Sequence, residues 1–258
     1  MILLCNGDSW TGGVAPSQDY NLDNTKTLDW YDIVPNFGFA HKIDKPRSKS
    51  NYKYYDSSVW PKVLGKNLNL ETWNAGRAGT GNQSIASRTI TSVEYLKKLG
   101  KKDIFVVVCW SSKYRVHILE YSPKLKKYGP HNVRPQYQDG HAFKVLNKEI
   151  NEHIFVNDWI ENILLLQNYL KVNNIKYLFF NAFDHPVITK DNTLGHLIDN
   201  KDWVNNTIEE SHFKNFISNK YNTSWDTDNK YFTLSHPQDI SHKAWGEYLV
   251  DYIVKSKL

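Results

Sequence analysis

The serine of Gly7-Asp8-Ser9-Trp10 follows directly on the apolar run Ile2-Leu3-Leu4-Cys5, the place where a strand delivers a hydroxyl to the edge of a sheet. A serine hydroxyl is a weak nucleophile until a neighbouring base takes its proton. Such a base stands near the other end of the chain, where His236-Pro237 opens a segment that continues to His242, Trp245 and Leu249. A serine and an imidazole brought together from opposite ends would hydrolyse an ester by a covalent route. Two histidines compete for the role. His242 falls in or near the first turn of a helix, whose N-terminus disfavours the cation that a general base must become, so His236, in the loop before it, is preferred.

To meet, these residues need a scaffold that returns distant segments to one edge, and the pattern of the chain predicts one. Short apolar runs at residues 2–6, 70–75, 103–110 and 176–183 read as strands, alternating with amphipathic stretches at 59–68, 82–99, 155–173, 203–218 and 241–254 that read as helices. Ile104 to Cys109 shows no polar alternation, as expected of a strand covered on both faces. The result is a three-layer α/β/α domain with a parallel sheet of flavodoxin-like order, in which right-handed crossovers align all strand C-termini along one ligand-binding edge. The whole chain, 1–258, reads as one domain. Two polar stretches, about 11–56 and 114–150, leave from strand ends as long loop insertions, suited to a lid or to substrate contacts and equally to partner-binding or plain surface loops.

Composition narrows the function classes. The net charge of +5 comes from lysines scattered among acids, without the basic stripe that nucleic-acid binding requires. Cys5 and Cys109 sit inside apolar runs as small hydrophobes, and neither they nor the histidines show metal-ligand spacing, so no disulfide, metal or cofactor is expected. The N-terminal run is too short and lacks the basic leader of a signal peptide, and no segment reaches the length of a membrane span; the expected location is cytoplasmic.

The motifs together resemble the SGNH hydrolases, the GDSL esterase/lipase family. Its first block looks like Gly7-Asp8-Ser9-Trp10, its second like Asn74-Ala75-Gly76-Arg77-Ala78-Gly79-Thr80-Gly81-Asn82, and its last like His236-Pro237. The third block, Gly-x-Asn-Asp in the family, aligns with Cys109-Trp110-Ser111-Ser112. The starting Gly-Asp-Ser-Trp-Thr and the string Trp110-Ser111-Ser112-x-x-Arg115 are further similar to SGNH-like proteins encoded by tailed bacteriophages. The resemblance implies a serine esterase or acylhydrolase, and the polar, aromatic-rich loops favour a small acyl group on a carbohydrate, as in an O-deacetylase. The rival implication is an SGNH-fold binding or structural protein, such as a virion component or homo-oligomer, whose chemistry has decayed.

The resemblance assigns roles residue by residue. Ser9 is the nucleophile, and the N–H groups of Ser9 and Gly79 hold the oxyanion. The family's third donor is an asparagine; here Ser111, Asn82 or an unaligned residue must serve. The family's orienting aspartate is replaced by Thr233. Asp239, three residues before His242, restores that spacing and equally suits a helix cap, while Ser235, a backbone carbonyl, Asp226 or Asp228 could hold the His236 ring. Trp10 and Trp110 could stack on a sugar or plug the core, Arg115 could grip an anionic or sugar substrate or form an ion pair, and Asp184, after the fourth strand, is a subsidiary substrate contact.

Overall fold

The computed structural model describes residues 1–12, 41–42, 59–77, 80–122, 127–133, 152–183, 186–189, 192–233 and 235–258. Its centre is a sheet of β1 (Ile2–Asn6), β2 (His41–Lys42), β3 (Glu71–Asn74), β4 (Ile104–Trp110) and β7 (Lys176–Asn181) in the order β2-β3-β1-β4-β7. The strands β3, β1, β4 and β7 are mutually parallel, with Leu4 opposite both Trp73 and Val106. Their sequence-order pattern, second-first-third-fourth, is the flavodoxin-like winding expected from the alternation of elements. The two-residue β2 pairs antiparallel with β3 at the edge.

Both faces of the sheet are buried, which is why β1 and β4 carry unbroken apolar runs. The even residues Ile2 and Leu4 face α3 (Asn82–Lys98) and α4 (Glu152–Val172), which supply Ile85, Val93, Leu96, Trp159, Ile160 and Ile163. The odd residues Leu3 and Cys5 face the opposite layer of α2 (Trp60–Asn67), α5 (Phe213–Tyr221) and α6 (Asp239–Ser256), with Trp60, Phe213, Trp245 and Leu249. Trp245 stacks on Phe213 with centroids 5.2 Å apart and meets Phe180 at 5.0 Å.

Several boundaries differ from the sequence expectation for physical reasons. The chain after β1 does not pass straight into a loop: Ser9–Gly12 form one helical turn, α1. Within the stretch expected to be a long loop after β4, Val116–Ser122 (β5) and Lys127–Val133 (β6) pair as an antiparallel hairpin, Val116 opposite Val133. The expected helix over 203–218 is two short 3-10 turns, Asn200–Asp202 and Val204–Asn206, followed by α5. Asn205 and Asn206 take left-handed φ of 61° and 55°, which stops a helix from forming there. In place of a fifth parallel strand, Trp203 bridges Phe179 and His212 bridges Asn181 as two isolated parallel contacts. Most of the 11–56 insertion, and of 114–150 beyond the hairpin, lies outside the described residues. Among the described residues no helix is long and apolar enough to cross a membrane.

Candidate active site

The end of β1 is held by side chains that fix where Ser9 stands. Asn6 donates its amide to Ile85 O and to Thr89 Oγ1, both at 2.8 Å, and accepts the Gly7 N–H at 2.8 Å. Gly7 is needed because the chain passes too close to β4: a Cβ there would lie 2.7 Å from Cys109 O and 2.9 Å from Cys109 Cβ. Asp8 then caps α1, its Oδ1 accepting the Trp10 N–H at 2.9 Å and its carbonyl accepting those of Thr11 and Gly12. Ser9 is thereby set at the first helical position, and the described residues offer its own N–H no acceptor.

The loop after β3 packs against this turn from one side. Ala75 N–H donates to Cys5 O at 2.8 Å and Arg77 N–H to Gly7 O at 3.1 Å. Gly76 permits the approach, since a Cβ on it would be 2.7 Å from Gly12 N. The Arg88 guanidinium ties both ends of that loop, donating to Ala75 O at 2.9 Å and to Thr80 Oγ1 at 3.5 Å. Burial, with the charge of Arg77 nearby, pulls its pKa down to about 10. Gly79, in the middle of the loop, lies outside the described residues.

The end of β4 packs from the other side. Ser111 donates its hydroxyl to Asp8 Oδ2 at 2.8 Å, and its N–H reaches Asn82 Oδ1 at 2.9 Å. Asn82 returns its amide to Ser112 O at 3.1 Å. The Ser111 proton is directed at Asp8, and Asn82 ties α3 to the end of β4 through its oxygen and one of its two amide N–H bonds. Arg115 Nη1 also meets Asp8 Oδ2, at 2.7 Å, so a carboxylate that is 0% exposed is balanced by a guanidinium 13% exposed. Sequence reasoning missed Asp8 as the hub of this network. The available signal was an acid next to Ser9 and an arginine shortly after β4.

His236 enters from the far end of the chain. Phe232–Thr233 (β8) and His236–Pro237 (β9) pair antiparallel, Thr233 opposite His236. The tight return puts Ser235 in the left-handed region at φ 59°, the kind of strained backbone that clusters at functional sites. The segment is pinned to α6 by Tyr231 O, which accepts the Gln238 N–H and the Ser241 hydroxyl, each at 2.8 Å. The outcome is that His236 Nε2 lies 2.9 Å from Ser9 Oγ, across 227 residues of sequence.

The other proposed residues are placed differently. His242 is 3% exposed, packs edge-on to Phe213 and turns Nδ1 towards the Trp60 N–H at 3.4 Å. Burial, and next the proximity of His236, pulls its pKa down to about 3, so it is neutral. Asp239 is exposed in the first turn of α6, where Gln238 is the N-cap, while His242 is buried; the two do not form the acid-histidine pair that their spacing suggested. Asp226 and Asp228 are exposed, and Asp226 accepts the Ser224 hydroxyl. Trp10 and Trp110 are both fully buried and pack in the core, Trp10 on Phe183, Phe213 and Phe232, Trp110 on Phe179. Asp184 lies outside the described residues. No cluster of three or more potential metal-ligating side chains occurs among the described residues.

No curated protein matches the chain. Among solved structures, it is similar to an acetyl xylan esterase from the rumen bacterium Butyrivibrio proteoclasticus, with 13% identity and a TM-score of 0.47, 98% of this chain covering 63% of that one. It spans, in other words, less than two thirds of that protein. A second acetyl xylan esterase is 14% identical at a TM-score of 0.45, covering 97% of this chain and 98% of the other. A lipolytic protein of the G-D-S-L family from Desulfitobacterium hafniense is 12% identical at a TM-score of 0.40, with 97% and 98% covered. The profile of a family of unknown function, DUF6071, matches residues 42–212, a span that takes in β3, β4, β7 and Arg115 and leaves out Ser9 and His236. By that match over more than half its length, the chain belongs to the family of unknown function DUF6071.

Proposed function

We propose that this protein is a serine ester hydrolase working through an acyl-enzyme on Ser9. The observation that carries the proposal is the 2.9 Å separation of His236 Nε2 and Ser9 Oγ, at the C-terminal edge of a parallel sheet. His236 Nε2 takes the hydroxyl proton as Oγ bonds to the ester carbonyl carbon, and the carbonyl π pair moves onto oxygen as an oxyanion. Collapse of that intermediate breaks the bond to the alcohol, which leaves with the proton from His236. Water then repeats the cycle and frees the acid.

The N–H groups of Ser9 and Gly79 are the proposed backbone donors to the oxyanion. The substrate proposed is a small acyl group on a carbohydrate, an acetyl ester above all. His236 is the base and His242 is not, because the latter is buried, resists taking up a proton and is turned to the Trp60 N–H.

A fluorophosphonate probe tests the nucleophile directly, since it phosphonylates only an activated serine. Stoichiometric labelling on Ser9, absent in Ser9→Ala and His236→Ala, is the expected result. Hydrolysis of 4-nitrophenyl acetate should exceed that of the octanoate, and His242→Ala should weaken activity without abolishing it. A folded protein that takes up no probe overturns the proposal and favours a binding or structural role on the same scaffold.

A further inference from the structure

In place of the asparagine of the family that the chain resembles stands Ser111, and both side chains weighed for a third oxyanion contact are bonded to neighbours among the described residues. Ser111 points its proton at Asp8 Oδ2, and Asn82 has its oxygen and one of its two amide N–H bonds on the end of β4. Arg115 differs. Of its five N–H bonds, the Nη1 group contacts Asp8 at 2.7 Å, and the described residues provide no acceptor for Nε or Nη2.

The guanidinium is also held still. The turn after β4 closes with Arg115 N–H on Ser112 O at 3.1 Å, and the side chain reaches Asp8 at the end of β1. Its Cζ lies 5.5 Å from the centre of the Phe183 ring, which packs at 4.7 Å on Trp10, the residue after the nucleophile. One edge of the planar fork is thus fixed by the carboxylate adjoining Ser9 and one contact is made with an aromatic ring, while the remaining donors stand at the same sheet edge.

We propose that Arg115 is the third oxyanion donor, presenting Nε–H or Nη2–H to the acyl oxygen while Asp8 and the Phe183 ring together hold the fork in register, so that losing the Asp8 charge alone does not unseat it. The inference rests on the Ser9 acyl-enzyme reading. Charge balance favours it: Asp8 and Arg115 cancel in the resting site, and the oxyanion forms together with a protonated His236, so the intermediate adds no net charge. Without Arg115, the Asp8 carboxylate would oppose a second negative charge growing one residue away. A guanidinium donor gives a charge-assisted bond, stronger than the neutral amide it replaces.

A double-mutant cycle separates a donor from a brace. Asp8→Asn, Arg115→Gln and the double variant are compared with the intact protein and Ser9→Ala, measuring kcat and KM on 4-nitrophenyl acetate, with thermal melts to establish folding. Loss of one oxyanion donor lowers kcat by about 100- to 1,000-fold with little change in KM. The expected result is that Arg115→Gln still lowers kcat by at least about tenfold in the Asp8→Asn background. Equal kcat for Asp8→Asn and the double variant means that Arg115 acts only by bracing Asp8, and the proposal falls. It falls too if the loss appears only with an ester carrying an anionic group, which would make Arg115 a substrate anchor. Should Arg115→Gln not fold, Arg115→Lys keeps a cation for Asp8 without the planar fork, and kcat near that of the intact protein then overturns the proposal. An intact protein no faster than Ser9→Ala removes the esterase reading itself, an outcome distinct from each of these.

Discussion

His242 should make the folded state acid-sensitive in a way that can be assigned to one ring. The imidazole is 3% exposed and has Trp60 N–H as a long hydrogen bond at 3.4 Å, so it gains nothing from a proton and loses its solvation if charged. Its pKa is pulled from the ordinary 6.5 to about 3, first by burial and then by His236. The native state therefore binds fewer protons than the unfolded state between those two values, and stability contributed by the neutral ring is present above about pH 6.5 and is lost as pH falls. At about 1.4 kcal/mol per pH unit, the loss is about 2 kcal/mol by pH 5 and about 4 kcal/mol by pH 3, where the folded ring is itself half protonated. For a chain of this size each kcal/mol moves the melting temperature by about 2–4 °C.

The comparison that isolates the ring is His242→Gln, whose amide oxygen can still accept the Trp60 N–H and which does not titrate. Between pH 7 and pH 5 the intact protein should lose about 4–8 °C more in melting temperature than the variant. Titrating groups other than His236, which is coupled to the ring, are common to both proteins and cancel in the difference. Parallel melting curves over that range would refute the argument, because they would mean that the ring takes up a proton equally well folded and unfolded.

Two further predictions concern packing. Gly7→Ala should shift the strand end against Cys109, lowering stability by about 1–3 kcal/mol and slowing probe labelling of Ser9; a variant that labels at the intact rate would show that the close approach has no bearing on the nucleophile. Trp245→Ala should cost about 3–5 kcal/mol in urea unfolding, since the ring is 1% exposed and packs on Phe180, Phe213, Phe216 and Tyr248. A loss below about 1 kcal/mol would contradict its place in the core.

The parts of the fold that could be read from the chain were those whose burial leaves a mark on residue type. Ile104–Trp110 is apolar throughout because both sides are covered, and the alternation of strands with amphipathic helices is enough for a parallel sheet. The hairpin Val116–Ser122 with Lys127–Val133 was hidden because its sequence, with Lys127, Gly129 and Pro130, looks like a loop. The 3-10 turns before α5 were hidden because Asn205 and Asn206 interrupt a stretch whose apolar residues otherwise keep a helical spacing.

At the site, Ser9 and His236 were legible from their chemistry and their place relative to predicted strands. The Asp8–Arg115 pair was not, because 107 residues separate its members and only the winding of the sheet puts the ends of β1 and β4 side by side. The two tryptophans show the same limit. A ring next to a nucleophile and a ring beneath it look alike in a sequence, and here Trp10 and Trp110 are beneath.

The flank of β7 has a bearing on how copies of the protein treat one another. A bare outer strand is a ladder of unpaired N–H and C=O groups that a second molecule can climb. Here the chain touches that ladder at Trp203 and His212 and is turned aside between them by two left-handed asparagines. That margin is covered by a strip of backbone too irregular to serve as a template itself, so runaway strand addition between molecules is blocked there without a full fifth strand.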